Sequence, residues 1–254
     1  AHHLIDSGGK RLRPLLHMIC SRLCGYSGDH RFPLAVSIEF IHTASLLHDD
    51  VIDEAVIRRG KTSANNLWGN AASVLVGDFL YSKALKLLSE IGDMAIIQLM
   101  SRTTHIMSEG EVFQLMKCGD MSLTEEEYLS IVEKKTALLI SAACASGALL
   151  GGASQDHVTA LEQYGYKIGM AFQITDDTLD YIAREEDFGK SIGKDLEEGK
   201  MTLPLIYTLT RSSEAERQSI KNILGQKAFS PETTKDIFAL IQKSGGIDYS
   251  LNRA

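Results

Sequence analysis

The sequence has few of the residues that break helices. Four prolines, Pro14, Pro33, Pro204 and Pro231, stand in 254 residues, and aromatic side chains make up only 7%. With Ala, Leu, Ile, Met, Glu and Lys filling the periodic stretches, that shortage favours helix over strand. There is no basic excess either: 26 Lys and Arg against 33 Asp and Glu leave a formal net charge of -7. Nucleic acid is thereby excluded as the main partner, since no basic stripe would offset phosphate repulsion, although local basic clusters still suit a phosphorylated small molecule. The four cysteines, Cys20, Cys24, Cys118 and Cys144, fall at no zinc-like spacing and are expected to be free, buried thiols suited to a reducing cytoplasm. No apolar run approaches the ~18 residues of a membrane span, and no charged-then-apolar leader opens the chain. A soluble protein without transmembrane segments is expected. Nor does any linker-like stretch divide the sequence, so one helical bundle over residues 1–254 is the economical expectation.

What the sequence does have is helical periodicity. Leu15, Leu16, Ile19 and Leu23 form one apolar stripe, and Leu34, Ile38, Ile41, Ser45 and Val51 form the next. Pro14 and Pro33 suit helix first turns. Further helices are predicted over 70–90, 94–117, 124–149, 156–182, 203–211, 214–224 and 231–243, separated by Gly92-Asp93, Gly119-Asp120, Gly151-Gly152 and Ser244-Gly245-Gly246. Thr124 and Glu127 have the spacing of a capping box.

Two segments break the amphipathic rule by placing acids inside apolar stretches. In the first, Asp49, Asp50 and Asp53 follow Leu46-Leu47-His48; in the second, Asp176, Asp177 and Asp180 follow Phe172-Gln173-Ile174-Thr175. Residues four apart share a helical face, so each D-D-x-x-D places like charges where they repel and call for compensation. A single copy would pass as a solvated helical face; two copies more than a hundred residues apart do not. Clustered carboxylates without His or Cys partners suit a hard cation, and Mg²⁺ takes one or two carboxylates plus phosphate and water. The predicted ligand is a diphosphate bridged by Mg²⁺. Calcium is the rival metal, but it would favour a Gly-bearing loop. Positive contacts for a diphosphate lie in Gly8-Gly9-Lys10-Arg11-Leu12-Arg13, in Arg58-Arg59 soon after the first motif, at Lys135-Thr136, and at Lys190, Lys194 and Lys200 after the second.

In order and spacing, GGKRLRP, LLHDDVIDEAVIRRG, Lys135-Thr136, FQITDDTLD and GKSIGKDLEEGKMTLPL resemble the successive signatures of the trans-isoprenyl diphosphate synthases, most nearly the bacterial long-chain octaprenyl and related polyprenyl synthases of quinone side-chain synthesis. The resemblance implies an all-α fold, a single-domain helical bundle around a central apolar cavity. It further implies that the six aspartates bind two or three Mg²⁺ ions, with Mn²⁺ a substitute, and are catalytic together with Lys135. Arg58, Lys135, Thr136, Gln173, Lys190 and Lys200 would hold an allylic diphosphate, farnesyl or geranyl. Lys10, Arg13, His42 and Arg59 would hold isopentenyl diphosphate. The implied chemistry is ionisation of the allylic C–O bond, attack by the isopentenyl double bond, and proton loss to the freed diphosphate. It also implies a cytoplasmic homodimer that makes a membrane-destined product.

Short-chain relatives resemble one another in carrying aromatics just before the first motif, where this chain has Ala44 and Ser45. These lie about one turn, roughly 6–8 Å, below the metals, and their small size implies an open path and a long product, octaprenyl diphosphate. Ile41, Met107 and Phe113 are candidates for the floor. Alternatives are a geranylgeranyl-length synthase, a class I terpene cyclase, which would have no use for Lys10, Arg13 and Arg59, and a non-catalytic subunit, whose acidic motifs would be eroded. Proteins it resembles continue further at both ends, so terminal helices are expected beyond this sequence.

Overall fold

The structure, a computed structural model, describes residues 8–182, 193–224 and 231–254. In chain order the elements are α1 (Leu12–Leu23), α2 (Arg31–Ile52), β1 (Ile57–Arg58), β2 (Lys61–Thr62), α3 (Ala64–Trp68), α4 (Asn70–Ile91), α5 (Met94–Met116) and α6 (Glu125–Val132). A π-turn follows (Glu133–Ala137), then α7 (Leu138–Leu150), α8 (Gln155–Leu179), α9 (Lys194–Glu197), α10 (Leu203–Arg211), α11 (Glu214–Leu224), α12 (Pro231–Ser244) and α13 (Gly246–Arg253). The fold is all-α as expected, with one minimal hairpin that periodicity did not reveal: Ile57 pairs with Thr62 and Arg58 with Lys61, antiparallel. Among the described residues no helix is long and apolar enough to cross a membrane.

The chain groups into two compact units. One takes the chain up to His105 together with Leu138–Tyr166; the other takes Ile106–Ala137 and Lys167–Ala254. In the first unit α7 is buried all round, as Leu139, Ile140, Ala143, Cys144 and Ala148 attest, so it must be approached on every side by other helices. Small residues allow that. A Cβ on Gly147 would lie 2.6 Å from the carbonyl oxygen of His17 on α1, and one on Gly165 would lie 2.7 Å from that of Ile140. This close seam corrects the expectation for α1: Leu16, His17 and Cys20 are buried, whereas Leu15, Ile19 and Leu23 are exposed. Both faces of α1 carry apolar residues, and the face that turns inward is the one on which His17 and Cys20 meet Gly147 of α7. α2 packs against α4, with Ala44, Leu47 and Leu80 in the seam.

In the second unit α6, α8, α10 and α12 share a core that includes Tyr128, Ile131, Ile174, Leu205, Ile237 and Phe238. The capping box of α6 is formed: the Thr124 hydroxyl accepts the Glu127 N–H at 3.2 Å, and the Glu127 carboxylate accepts the Thr124 N–H at 2.9 Å. The predicted helix 124–149 is interrupted by the π-turn, where backbones crowd it. A Cβ on Gly110 would lie 2.6 Å from that of Lys134, and one on Gly169 would lie 2.5 Å from the Cα of Ala137. All four cysteines are free, with Cys20 and Cys144 buried as expected. Cys118 is exposed, its thiol donating to the Glu198 carbonyl at 3.1 Å.

Candidate active site

Both acidic motifs sit at the C-terminal end of a helix. α2 stops at Ile52 and α8 at Leu179, so Asp53 and Asp180 stand one residue past the last turn. A helix C-terminus carries partial negative charge, which makes this the worst end for three carboxylates unless a cation joins them.

In the first unit, Asp49 and Asp53 are half-buried one turn apart, the Asp53 N–H reaching the Asp49 carbonyl at 2.8 Å. Asp50 points elsewhere and is fully buried. Its Oδ1 accepts Arg58 Nε at 2.7 Å and lies 2.5 Å from Arg58 Nη2. The helix that follows the Arg58 hairpin, α3, is tied to the end of α2 by Asn65 Nδ2 donating to the Asp50 carbonyl at 2.9 Å. Asp50 Oδ2 is buried with no hydrogen-bond partner among the described residues.

Upstream on α2 stand Glu39 and His42, the latter one of the residues predicted to hold isopentenyl diphosphate with Lys10, Arg13 and Arg59. Arg11 is ion-paired to Glu39, and Arg59 donates to the Gly8 carbonyl. Arg11 and Arg59 have φ of 49° and 53°, a left-handed conformation that costs a non-glycine residue of order 1 kcal/mol or more and clusters at functional sites. Arg13 has a buried Nε without a hydrogen-bond partner among the described residues. Burial, offset in part by Glu39 and reinforced by Arg59, lowers its guanidinium to about 10. Burial, then Arg13, Arg59, Arg11 and Arg58, hold the His42 imidazole well below its ordinary range, so it is neutral. A half-buried imidazole whose titration is depressed by four guanidinium groups marks a place prepared for anionic charge. Lys10 is exposed on the segment leading into this cluster.

In the second unit, Asp176 is exposed, Asp177 is buried and Asp180 is half-buried. Asp177 Oδ2 accepts the Tyr128 hydroxyl at 2.7 Å, and Oδ1 accepts Gln173 Nε2 at 2.6 Å. Gln173 Oε1 in turn accepts the Thr136 hydroxyl at 2.8 Å. Burial raises Asp177 to about 6, against the lowering effect of Tyr128 and Gln173. Asp180 accepts backbone N–H groups from Gly193 at 3.2 Å and Asp195 at 3.0 Å, while burial raises its carboxyl overall. Burial, with Asp177 and Asp180 beside it, pushes Asp195 up to about 8.

Lys135 lies in the π-turn, a geometry that recurs at functional sites. It is 2.5 Å from Glu111 Oε2 and also donates to Gln114. Lys200 donates to Glu198 at 2.6 Å. Lys190 lies outside the described residues.

Thus Arg13, His42, Arg58 and Arg59 gather near the first motif, and Thr136 and Gln173 join the second. Glu39, Glu111, Tyr128, Asp195 and Glu198 complete these arrangements without having been singled out in the sequence. Asp195 and Glu198 lie inside the GKDLEEGK segment that carried the resemblance, which was a usable signal. Tyr128 and Glu39 gave none, because their partners are brought to them by packing.

The donor set can be tested for a divalent ion. Its oxygens are hard donors, one buried and unpartnered, yet among the described residues no three His, Cys, Asp or Glu side chains gather into a metal site. Such a set fits a divalent ion whose remaining ligands come from phosphate and water.

A family model described as Polyprenyl synthetase matches residues 1–241. The octaprenyl diphosphate synthase of Escherichia coli (strain K12) is 43% identical over 225 residues, 89% of this chain and 70% of that protein. The crystal structure of a decaprenyl diphosphate synthase from Rhodobacter capsulatus superimposes with a TM-score of 0.93 at 42% identity, over 98% of this chain and 76% of the other. A polyprenyl synthase from Caulobacter crescentus CB15, complexed with calcium and isoprenyl diphosphate, also gives 0.93, at 43% identity over 99% and 76%. Two helix-terminal aspartate motifs, an arginine cluster around a neutral histidine, and a match running through nearly the whole sequence agree: the chain belongs to the polyprenyl synthetase family and is a prenyltransferase of the all-α isoprenoid synthase fold.

Proposed function

We propose that this chain condenses isopentenyl diphosphate with farnesyl or geranyl diphosphate in repeated steps and releases a long all-trans product, an octaprenyl-length diphosphate. The observation that carries the reading is the pairing, in one unit, of the Asp49–Asp53 motif with a basic cluster built from Arg11, Arg13, Arg58 and Arg59 around neutral His42. Lys10, Arg13, His42 and Arg59 hold the isopentenyl diphosphate; Arg58, Lys135, Thr136, Gln173, Lys190 and Lys200 serve the allylic one.

Asp49, Asp50, Asp53, Asp176, Asp177 and Asp180 would be the carboxylates that hold Mg²⁺ for the allylic diphosphate. Bound Mg²⁺ supplies neutralisation of the charge that develops on the leaving diphosphate. The fixed cations Arg58 and Lys135 add to it without having to reorganise, because Asp50 and Glu111 already hold them. Apolar walls exclude water from the allylic cation. Small Ala44 and Ser45 leave the growing chain a path, and long-chain relatives support that length. Exposed Leu75 and Phe79 on α4 offer apolar surface for a homodimer, and free thiols suit a cytoplasmic location.

The test is incubation with farnesyl diphosphate, isopentenyl diphosphate and Mg²⁺, with the products resolved by mass. Octaprenyl-length product is expected. Hydrocarbon from farnesyl diphosphate alone would make the chain a cyclase, and accumulation at geranylgeranyl length would overturn the long-chain assignment. Ser45→Phe and Ala44→Phe should each shorten the product.

A further inference from the structure

We propose that Tyr128 is a positioning residue for the second acidic motif, acting through Asp177; this rests on the reading of that motif as the holder of a metal–diphosphate. Tyr128 stands on α6 with 3% of its surface exposed, inside an apolar core that includes Ile131 and Ile174. A phenylalanine would pack there equally well, and a buried hydroxyl is costly unless it is paired. Its partner is Asp177 Oδ2 at 2.7 Å. The other carboxylate oxygen is taken by Gln173 at 2.6 Å, and Gln173 is braced by Thr136 at 2.8 Å.

Asp177 is therefore gripped at both oxygens, one donor coming from α6 and the other relayed from the π-turn beside Lys135. A carboxylate held in this way cannot turn about its side-chain bonds. It anchors the last turn of α8, which carries Asp176 and leads directly into Asp180. The chain Tyr128–Asp177–Gln173–Thr136 thus ties the acids of the motif to the turn bearing the lysine, so that ion-holding and phosphate-holding groups keep one spacing. Partners that orient metal-holding groups typically cost about 10- to 100-fold in metal affinity or activity when removed.

The experiment compares Tyr128→Phe with Tyr181→Phe. Tyr181 is equally buried in the same core, but its hydroxyl pairs with Thr202 Oγ1 at 2.7 Å. Calorimetry of Mn²⁺ binding in the presence of inorganic pyrophosphate should show affinity about tenfold or more weaker for Tyr128→Phe and unchanged for Tyr181→Phe, with the two melting temperatures lowered alike. The half-saturating Mg²⁺ concentration for elongation should rise in parallel, while KM for isopentenyl diphosphate stays constant. Unchanged metal affinity in Tyr128→Phe, or an equal loss in both variants, would overturn the proposal. Absence of elongation by the unaltered chain would instead defeat the functional reading, and the calorimetry would still decide the role of Tyr128.

Discussion

Arg58 and Asp50 show how a single residue can serve both stability and chemistry. Asp50 is wholly buried and Arg58 is its ion-pair partner, so removing the guanidinium strands a charge away from water. Arg58→Met should lower stability by about 3–5 kcal/mol, read from urea denaturation, besides weakening the allylic substrate. His17 links stability to pH. It is buried, its Nδ1 is 3.0 Å from Ser146 Oγ, and burial lowers it from 6.5 to about 4. Between these values the unfolded chain takes up a proton that the folded chain refuses. The contribution is complete above pH 6.5 and is lost as pH falls toward 4, by up to about 3 kcal/mol. Denaturation midpoints at pH 7 and pH 5 should diverge less in His17→Gln than in the unaltered chain. The aspartates were legible in the sequence because acids stand out in an apolar stretch. Glu39 and Tyr128 were not: a Glu on a helix and a Tyr in a core are ordinary until folding brings an arginine or an aspartate to them.

At the scale of the element, helix positions were read closely, α10 and α11 to the residue and α4 to within one, because caps and glycines punctuate them. The π-turn was missed because its five residues, Glu133–Ala137, have ordinary helical propensities. Packed against the turn are Gly110 and Gly169, neighbours remote in sequence. Gly169→Ala should therefore act through the turn: a methyl 2.5 Å from the Cα of Ala137 forces a backbone shift costing about 1–3 kcal/mol. Elongation should fall more than stability does, since Thr136 and Lys135 move with that backbone. A thermal melt beside a turnover assay checks this, and equal turnover in a correctly folded variant would place the turn outside the chemistry. The choice of face on α1 was likewise invisible, since apolar residues occupy both sides and only the close approach of Gly147 on α7 decides between them.

For the whole molecule, the sequence displayed the fold class and the two motifs, but the grouping of segments from distant parts of the chain into two compact units emerges only from packing. Because no three metal-binding side chains cluster among the described residues, Mg²⁺ alone and pyrophosphate alone should stabilise weakly, and the two together strongly. At a hundredfold excess over the dissociation constant, about 2.7 kcal/mol is expected, or a rise of about 5–10 °C in melting temperature. A chelator should abolish it, and a thermal-shift matrix reads all combinations. Because α7 follows the π-turn without a break and is packed on every side, gaining or losing one residue there would rotate all its later side chains by ~100° about the helix axis and unseat Gly147 from His17. Evolution of this corner is thereby restricted to exchanging one side chain for another; changes of length are closed to it.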